Sequence, residues 1–176
     1  MEIATLGGGC FWCVEAVYEK LQGVHEVVSG YMGGTAADAN YEAVCTKQTD
    51  HVEVVQVYFD SEVVSYADVL RIFFTVHDPT TPNRQGNDVG PQYRSAIFTH
   101  DSAQAATAKE VLAEAQELYD DPIVTEVGPI EPFYRAEEYH QGYYKRVGDR
   151  NSYCTFVITP KVSKFRQKFA DRLKPA

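Results

Sequence analysis

Two periods take turns along this chain, and the alternation limits its possible folds more than any other feature. "EIATL" (2–6), "VHEVVSGY" (24–31), "VEVVQVYFD" (52–60), "RSAIFTH" (94–100) and "IVTEVGPI" (123–130) read as strands. Between them lie runs with apolar residues at helical spacing. These are "FWCVEAVYEKLQG" (11–23), "SYADVLRIFFTVH" (65–77), "DSAQAATAKEVLAEAQEL" (101–118) and "RAEEYHQGYYKR" (135–146). Ser65 and Asp101 are predicted caps. "YCTFVI" (153–158) reads as a last short strand, and residues 160–176 as a basic helix or tail. Strands alternating with helices favour an α/β or α+β sandwich, and strands 24–31 and 52–59 are placed to pair antiparallel.

At 176 residues the chain suits one domain, taken as 1–176. A net charge of −9 argues against nucleic acid as a partner. The first residues lack the basic and long apolar regions of a signal peptide, and no run reaches the roughly 18 apolar residues of a membrane span. A cytoplasmic home is therefore expected. In that compartment four cysteines point to catalysis, metal binding or simple burial rather than structural disulfides. One Cys-x-x-Cys without a second pair is weak support for zinc, and no metal or cofactor is expected.

The stretch "GGGCFWC" (7–13) sits where the first strand gives way to the first helix. Cysteine attacks as the thiolate, and the exposed N–H groups of a helix start stabilise one. Glycines before it let the backbone turn sharply. Cys10 is thus placed for nucleophilic work, although a small buried hydrophobe fits the position as well. Phe11 and Trp12 fit either a core or a small apolar wall. In "VEVVQVYF" the period of two sets Glu53 on the face of Val55, Val57 and Phe59. A carboxyl ending an apolar row has a raised pKa if it is buried there.

These blocks together resemble the peptide methionine sulfoxide reductase A family. "GGGCFW" is similar to its GCFWG signature, "GYMGG" to its GYxGG and "NYEAVC" to its Y-x-x-V-C. "HDPTTPNRQGNDVGPQYRSAIF" resembles its HDPT…QGxDxGxQYRS block, and "EEYHQGYY" its ExYHQ-Y segment. Two departures stand out: Cys13 replaces the last glycine of the signature, and "TDHVE" (49–53) replaces TGHAE.

The resemblance implies a two-layer sandwich with a mixed sheet around a ferredoxin-like βαββαβ core. It implies reduction of the S epimer of methionine sulfoxide, free or within oxidised proteins and peptides, with thioredoxin as reductant. A monomer is expected. Cys10 matches the nucleophile and Glu53 the proton donor. Tyr41 and Tyr93 match hydroxyls that bind the sulfoxide oxygen. Asp88 matches a pocket carboxylate, and Phe11 and Trp12 the wall around the substrate methyl. Cys154 matches a resolving cysteine and is favoured for that role. Cys13 is the alternative, since it forms Cys-x-x-Cys with Cys10. Cys45 has no role assigned, and neither His51 nor His140 is read as a base. Asp50 would raise the Glu53 pKa further if the two lay within several Å. A competing reading is a thioredoxin-like dithiol–disulfide oxidoreductase built on Cys10 and Cys13 alone; a third is a non-catalytic metal- or peptide-binding module.

Overall fold

The computed structural model of the chain describes residues 1–175. Its elements, in chain order, are β1 (Glu2–Gly8), α1 (Phe11–Tyr18), β2 (Val24–Met32), α2 (Tyr41–Cys45), β3 (Val52–Phe59), α3 (Tyr66–Val76), β4 (Arg84–Gln85), β5 (Asp88–Val89), β6 (Ser95–Thr99), α4 (Ser102–Gln116), β7 (Glu126–Pro129), β8 (Tyr134–Arg135), α5 (Tyr143–Val147) and α6 (Thr159–Lys168). Six strands form one sheet in the order β7-β6-β1-β3-β2-β8. Its middle, β6-β1-β3-β2, is antiparallel throughout, because each helical crossover skips one strand. That is the ferredoxin-like βαββαβ order expected. β7 adds parallel to β6 and makes the sheet mixed.

Strand β3 is buried on both faces, and its period of two decides what each residue meets. Val55, Val57 and Phe59 join the main core with Phe11, Val14 and Val17 of α1 and Leu70, Phe73 and Phe74 of α3. Val52 and Val54 face the other way, into a smaller cluster with Met32, Ala96 and Phe98, which Phe133 covers. Gly30 permits that cover, since a Cβ there would lie 2.4 Å from the Phe133 ring. Both predicted caps form: Ser65 accepts from the Asp68 N–H at 3.1 Å, and Asp101 from that of Gln104 at 2.7 Å. Across the helical layer, the Tyr18 hydroxyl donates to the Val69 carbonyl at 2.7 Å.

Three segments depart from the sequence reading. "YCTFVI" is helical: Cys154–Ile158 forms a π-helical turn that runs into α6. Its β-branched residues suggested a strand. However, Cys154, Ile158, Val162 and Phe165 are all buried at helical spacing, so one apolar stripe crosses Pro160. Proline lacks the N–H of a regular turn, and the wider π turn accommodates the missing bond. The helix read at 135–146 is divided. Arg135 joins β8, Glu138–His140 forms a 3₁₀ turn, and Gly142, at φ +61°, breaks the run before α5. The long segment after α3 holds the short β4–β5 hairpin and a 3₁₀ turn at Pro91–Tyr93.

Candidate active site

The site is built where β1 hands over to α1. Gly9 has φ +90°, in the left-handed region that favours glycine, and a Cβ there would lie 2.6 Å from Gln85 Cγ. Gln85 cannot yield, because its amide bonds both ways to the Asp78 backbone. The turn sets Cys10 as the N-cap residue of α1, and its side chain makes no capping bond. The sulfur is therefore left to the site.

Glu53 stands at the start of β3, beside the same helix end. Its Oε1 accepts the Phe11 N–H at 3.1 Å, and the residue is only 2% exposed. Burial pushes its pKa up to about 8, opposed by the Phe11 bond and aided by the charges of Asp88 and Cys13. Asp50 is exposed and contributes no part of this shift. A carboxyl protonated near neutrality and held against the nucleophile's helix is equipped as a proton donor.

Cys10 and Cys13 are both buried thiols, one helical turn apart at the start of α1. The neighbouring Cys10 thiol pushes Cys13 down to about 7, with a further contribution from the charge of Lys161. Lys161 and Cys13 line the same small cavity, of about 10 Å³. Burial and the neighbouring Cys13 and Glu53 hold Cys10 well above the ordinary thiol value. The two sulfurs thus behave as one unit whose first proton leaves easily and whose second is retained.

Tyr153, which the sequence reading passed over, bridges this pair to Asp88. Its hydroxyl lies 3.8 Å from Cys13 Sγ and donates to Asp88 Oδ2 at 2.6 Å. One hydroxyl proton cannot serve both. The short bond to a carboxylate is the stronger claim on it, and the contact with Cys13 is the weaker of the two. Tyr93, half-buried in the 3₁₀ turn, has its hydroxyl pKa raised by burial and by the charges of Glu53, Cys10 and Asp88. Tyr41, at the first position of α2, is raised by burial, Cys45, Glu53 and Cys10. Both phenols therefore remain O–H donors at working pH.

The aromatic side of the site is tied down by residues the sequence reading left without a role. Trp12 stacks on Tyr143, with ring centroids 3.9 Å apart and planes 9° from parallel. Such a pair contributes about 0.5–1.5 kcal/mol beyond its burial. Phe11 is buried against Tyr31 and His140. Glu137 accepts the Tyr31 hydroxyl at 2.9 Å and the Tyr41 N–H at 2.8 Å, which fixes where Tyr41 starts its helix. Their sequence signal is the "EEYHQGYY" block, which carries Glu137, His140 and Tyr143. His51 is structural: it accepts the Gly34 N–H at 3.2 Å and contacts the Thr35 carbonyl at 2.8 Å, closing the "GYMGG" loop.

The predicted residues thus gather from five elements. Cys10, Phe11, Trp12 and Cys13 come from the start of α1, Glu53 from β3, Tyr41 from α2, Asp88 from β5 and Tyr93 from the turn before β6. Cys154 is fully buried in the π turn that packs on α1. Cys45 is exposed at the end of α2. Among the described residues no cluster of His, Cys, Asp or Glu is arranged to hold a metal ion, and no helix is long and apolar enough to cross a membrane.

Comparison with known proteins agrees with this geometry. A family model described as peptide methionine sulfoxide reductase matches residues 2–173. The peptide methionine sulfoxide reductase MsrA of Saccharolobus solfataricus is 52% identical over 174 residues, which cover 99% of this chain and 98% of that protein. Among solved structures, Mxr1 from Saccharomyces cerevisiae in reduced form aligns with a TM-score of 0.79 at 34% identity, covering 85% of this chain and 87% of that one. The same yeast protein in complex with Trx2 aligns with a TM-score of 0.56 at 26% identity, covering 81% and 84%.

Proposed function

The chain belongs to the peptide methionine sulfoxide reductase family, and on that premise we propose how its residues divide the work. It is an oxidoreductase that returns methionine sulfoxide to methionine, with a thioredoxin as the recycling partner, as the complex of its yeast relative with Trx2 suggests. The substrate is the S epimer, free or within oxidised proteins. The chain works as one catalytic domain, a monomer in the cytoplasm.

The Cys10 thiolate attacks the sulfoxide sulfur. Glu53 gives its proton to the sulfoxide oxygen, while Tyr41 and Tyr93 donate hydrogen bonds to it. The resulting hydroxyl passes to the Cys10 sulfur as the methionine S–O bond and the transient S–S bond break. Phe11 and Trp12 enclose the methyl group, and Asp88, oriented by Tyr153, meets the polar part of the substrate. The products are methionine and a sulfenic acid on Cys10. A neighbouring thiol condenses with the sulfenic acid, releasing water and leaving a disulfide. The external dithiol then reduces that disulfide by exchange.

For the condensing thiol the geometry favours Cys13 over Cys154, the reverse of the order expected from sequence. Cys13 stands one helical turn from Cys10 at the start of α1 and is buried beside it, whereas Cys154 is enclosed in a helical turn. The single observation that carries the whole reading is Glu53: buried, raised to about 8 and bonded to the helix start beside Cys10. Plain dithiol exchange needs no such acid, which sets the thioredoxin-like alternative behind. Turnover of resolved S and R methionine sulfoxide with thioredoxin, for wild type and C10S, tests the proposal. Use of S alone, lost in C10S, is expected; equal use of both epimers, or activity surviving in C10S, would overturn it.

A further inference from the structure

Trp12 is held from two sides by one short segment. Tyr143 stacks on its face, and its indole N–H donates to His140 Nδ1 at 3.0 Å. His140 is 1% exposed. Its ring centroid lies 4.4 Å from that of Tyr41 and 5.1 Å from that of Phe11, so it touches three residues of the site. The segment is itself latched. Gln141 bonds to both backbone groups of Ser29, at 3.0 and 2.8 Å, and the Tyr143 N–H donates to Glu15 at 3.2 Å.

The two restraints on Trp12 differ in kind. A stacked ring resists tilting but still slides and rotates within its own plane. A hydrogen bond to the ring edge is directional and removes that freedom. It requires Nδ1 to be an acceptor, so the imidazole is neutral with its proton on Nε2. Burial favours that neutral form, with Arg146 adding to it and Glu137 opposing. Nε2 has no hydrogen-bond partner among the described residues. A buried donor left unpaired costs stability, and a phenylalanine ring would avoid that cost. What phenylalanine cannot supply is the acceptor for Trp12.

We propose that His140 is a positioning residue for methionine sulfoxide reduction: its Nδ1 fixes the in-plane orientation of Trp12, and so the shape of the wall around the substrate methyl. This rests on the reading of Phe11 and Trp12 as that wall.

Trp12 is the sole tryptophan, so the full chain gives one indole N–H signal in a proton–nitrogen NMR spectrum. With N-acetyl-methionine sulfoxide as substrate, H140F is expected to shift that signal upfield and raise KM about tenfold. The single-turnover rate at saturation should change by less than about twofold. H140N, whose amide oxygen can occupy the place of Nδ1, restores both. An unmoved signal in H140F, or H140N no better than H140F, overturns the proposal. If H140F does not fold, the ring nitrogen shifts of His140 in the wild type decide: a proton on Nε2 supports it, a proton on Nδ1 overturns it. W12L separates the two readings. A KM raised in W12L but not in H140F overturns the role of His140 alone; a KM unchanged in W12L overturns the wall itself, and this role with it.

Discussion

Glu53 Oε1 accepts the backbone N–H of Phe11 at 3.1 Å, so the carboxyl is fastened to the first turn of the helix that Cys10 caps. Nucleophile and acid are therefore placed by one backbone corner, and their titrations set the working pH. The thiol pair loses its first proton near 7, and Glu53 keeps its own until about 8. The pH profile of kcat/KM should rise through the first value and fall through the second. E53Q should lose about 10²–10⁴-fold in single-turnover methionine formation. It should keep the rising limb and lose the falling one. Stopped-flow single turnovers across pH 5.5–9.5 give both readings, and a falling limb that survives in E53Q would remove Glu53 from the acid role.

The thiols can be separated by stoichiometry. C10S should form no methionine. C13S should form one methionine per chain without added reductant and stall in thioredoxin-driven turnover. C154S should continue near the wild-type rate. Rapid-quench product counts with mass mapping of the disulfide check this. A Cys10–Cys154 bridge in the wild type, with full turnover in C13S, would return the resolving role to Cys154.

Much of this site was legible in the sequence because its parts lie in local signals. The glycine turn before Cys10 and the alternation that turns Glu53 inward are both short-range patterns. What was not legible depends on partners far along the chain. Tyr153 gains its meaning only from Asp88 and Cys13, and Glu137 only from Tyr31 and Tyr41. The helix over 154–158 was misread because its buried stripe continues past a proline, where a local reading stops. Asp50 is near Glu53 in sequence, but it lies exposed before β3, while Glu53 is buried within that strand.

The corner at Gly9 predicts a graded cost. In G9A the new Cβ meets Gln85 Cγ at 2.6 Å in a backbone conformation of φ +90°. Gly86 also has positive φ, +58°, but a Cβ there meets nothing within 4 Å. G86A should therefore cost only the backbone penalty, about 1–2 kcal/mol, or roughly 2–8 °C in Tm. G9A should cost more, and should also slow alkylation of Cys10, since the strain falls on the residue before it. Calorimetry and iodoacetamide labelling measure the two effects; equal Tm losses would refute the steric argument.

Glu15 offers a test of how a buried carboxyl away from the chemistry ties the site to the fold. Its Oε2 accepts the Ser29 hydroxyl at 3.0 Å and its Oε1 the Tyr143 N–H at 3.2 Å. Burial pushes its pKa up to about 7, against the hydrogen bonds from Gly142, Ser29 and Tyr143 and with the charge of Glu19. The unfolded chain releases this proton near 4.5. Between those values the native state binds more protons than the unfolded one, so the contribution of Glu15 to stability falls as pH rises and is lost above about 7. Other groups titrate in the same range, so the informative quantity is the difference between E15Q and wild type. Tm of E15Q minus Tm of wild type should climb between pH 4.5 and 7 and then level off. The climb should reach about 3 kcal/mol, or roughly 6–12 °C. A difference independent of pH would show that Glu15 is ionised in the folded state. Because Tyr143 is both the Glu15 partner and the ring under Trp12, the indole signal of E15Q should move as well if that latch holds the stack in place.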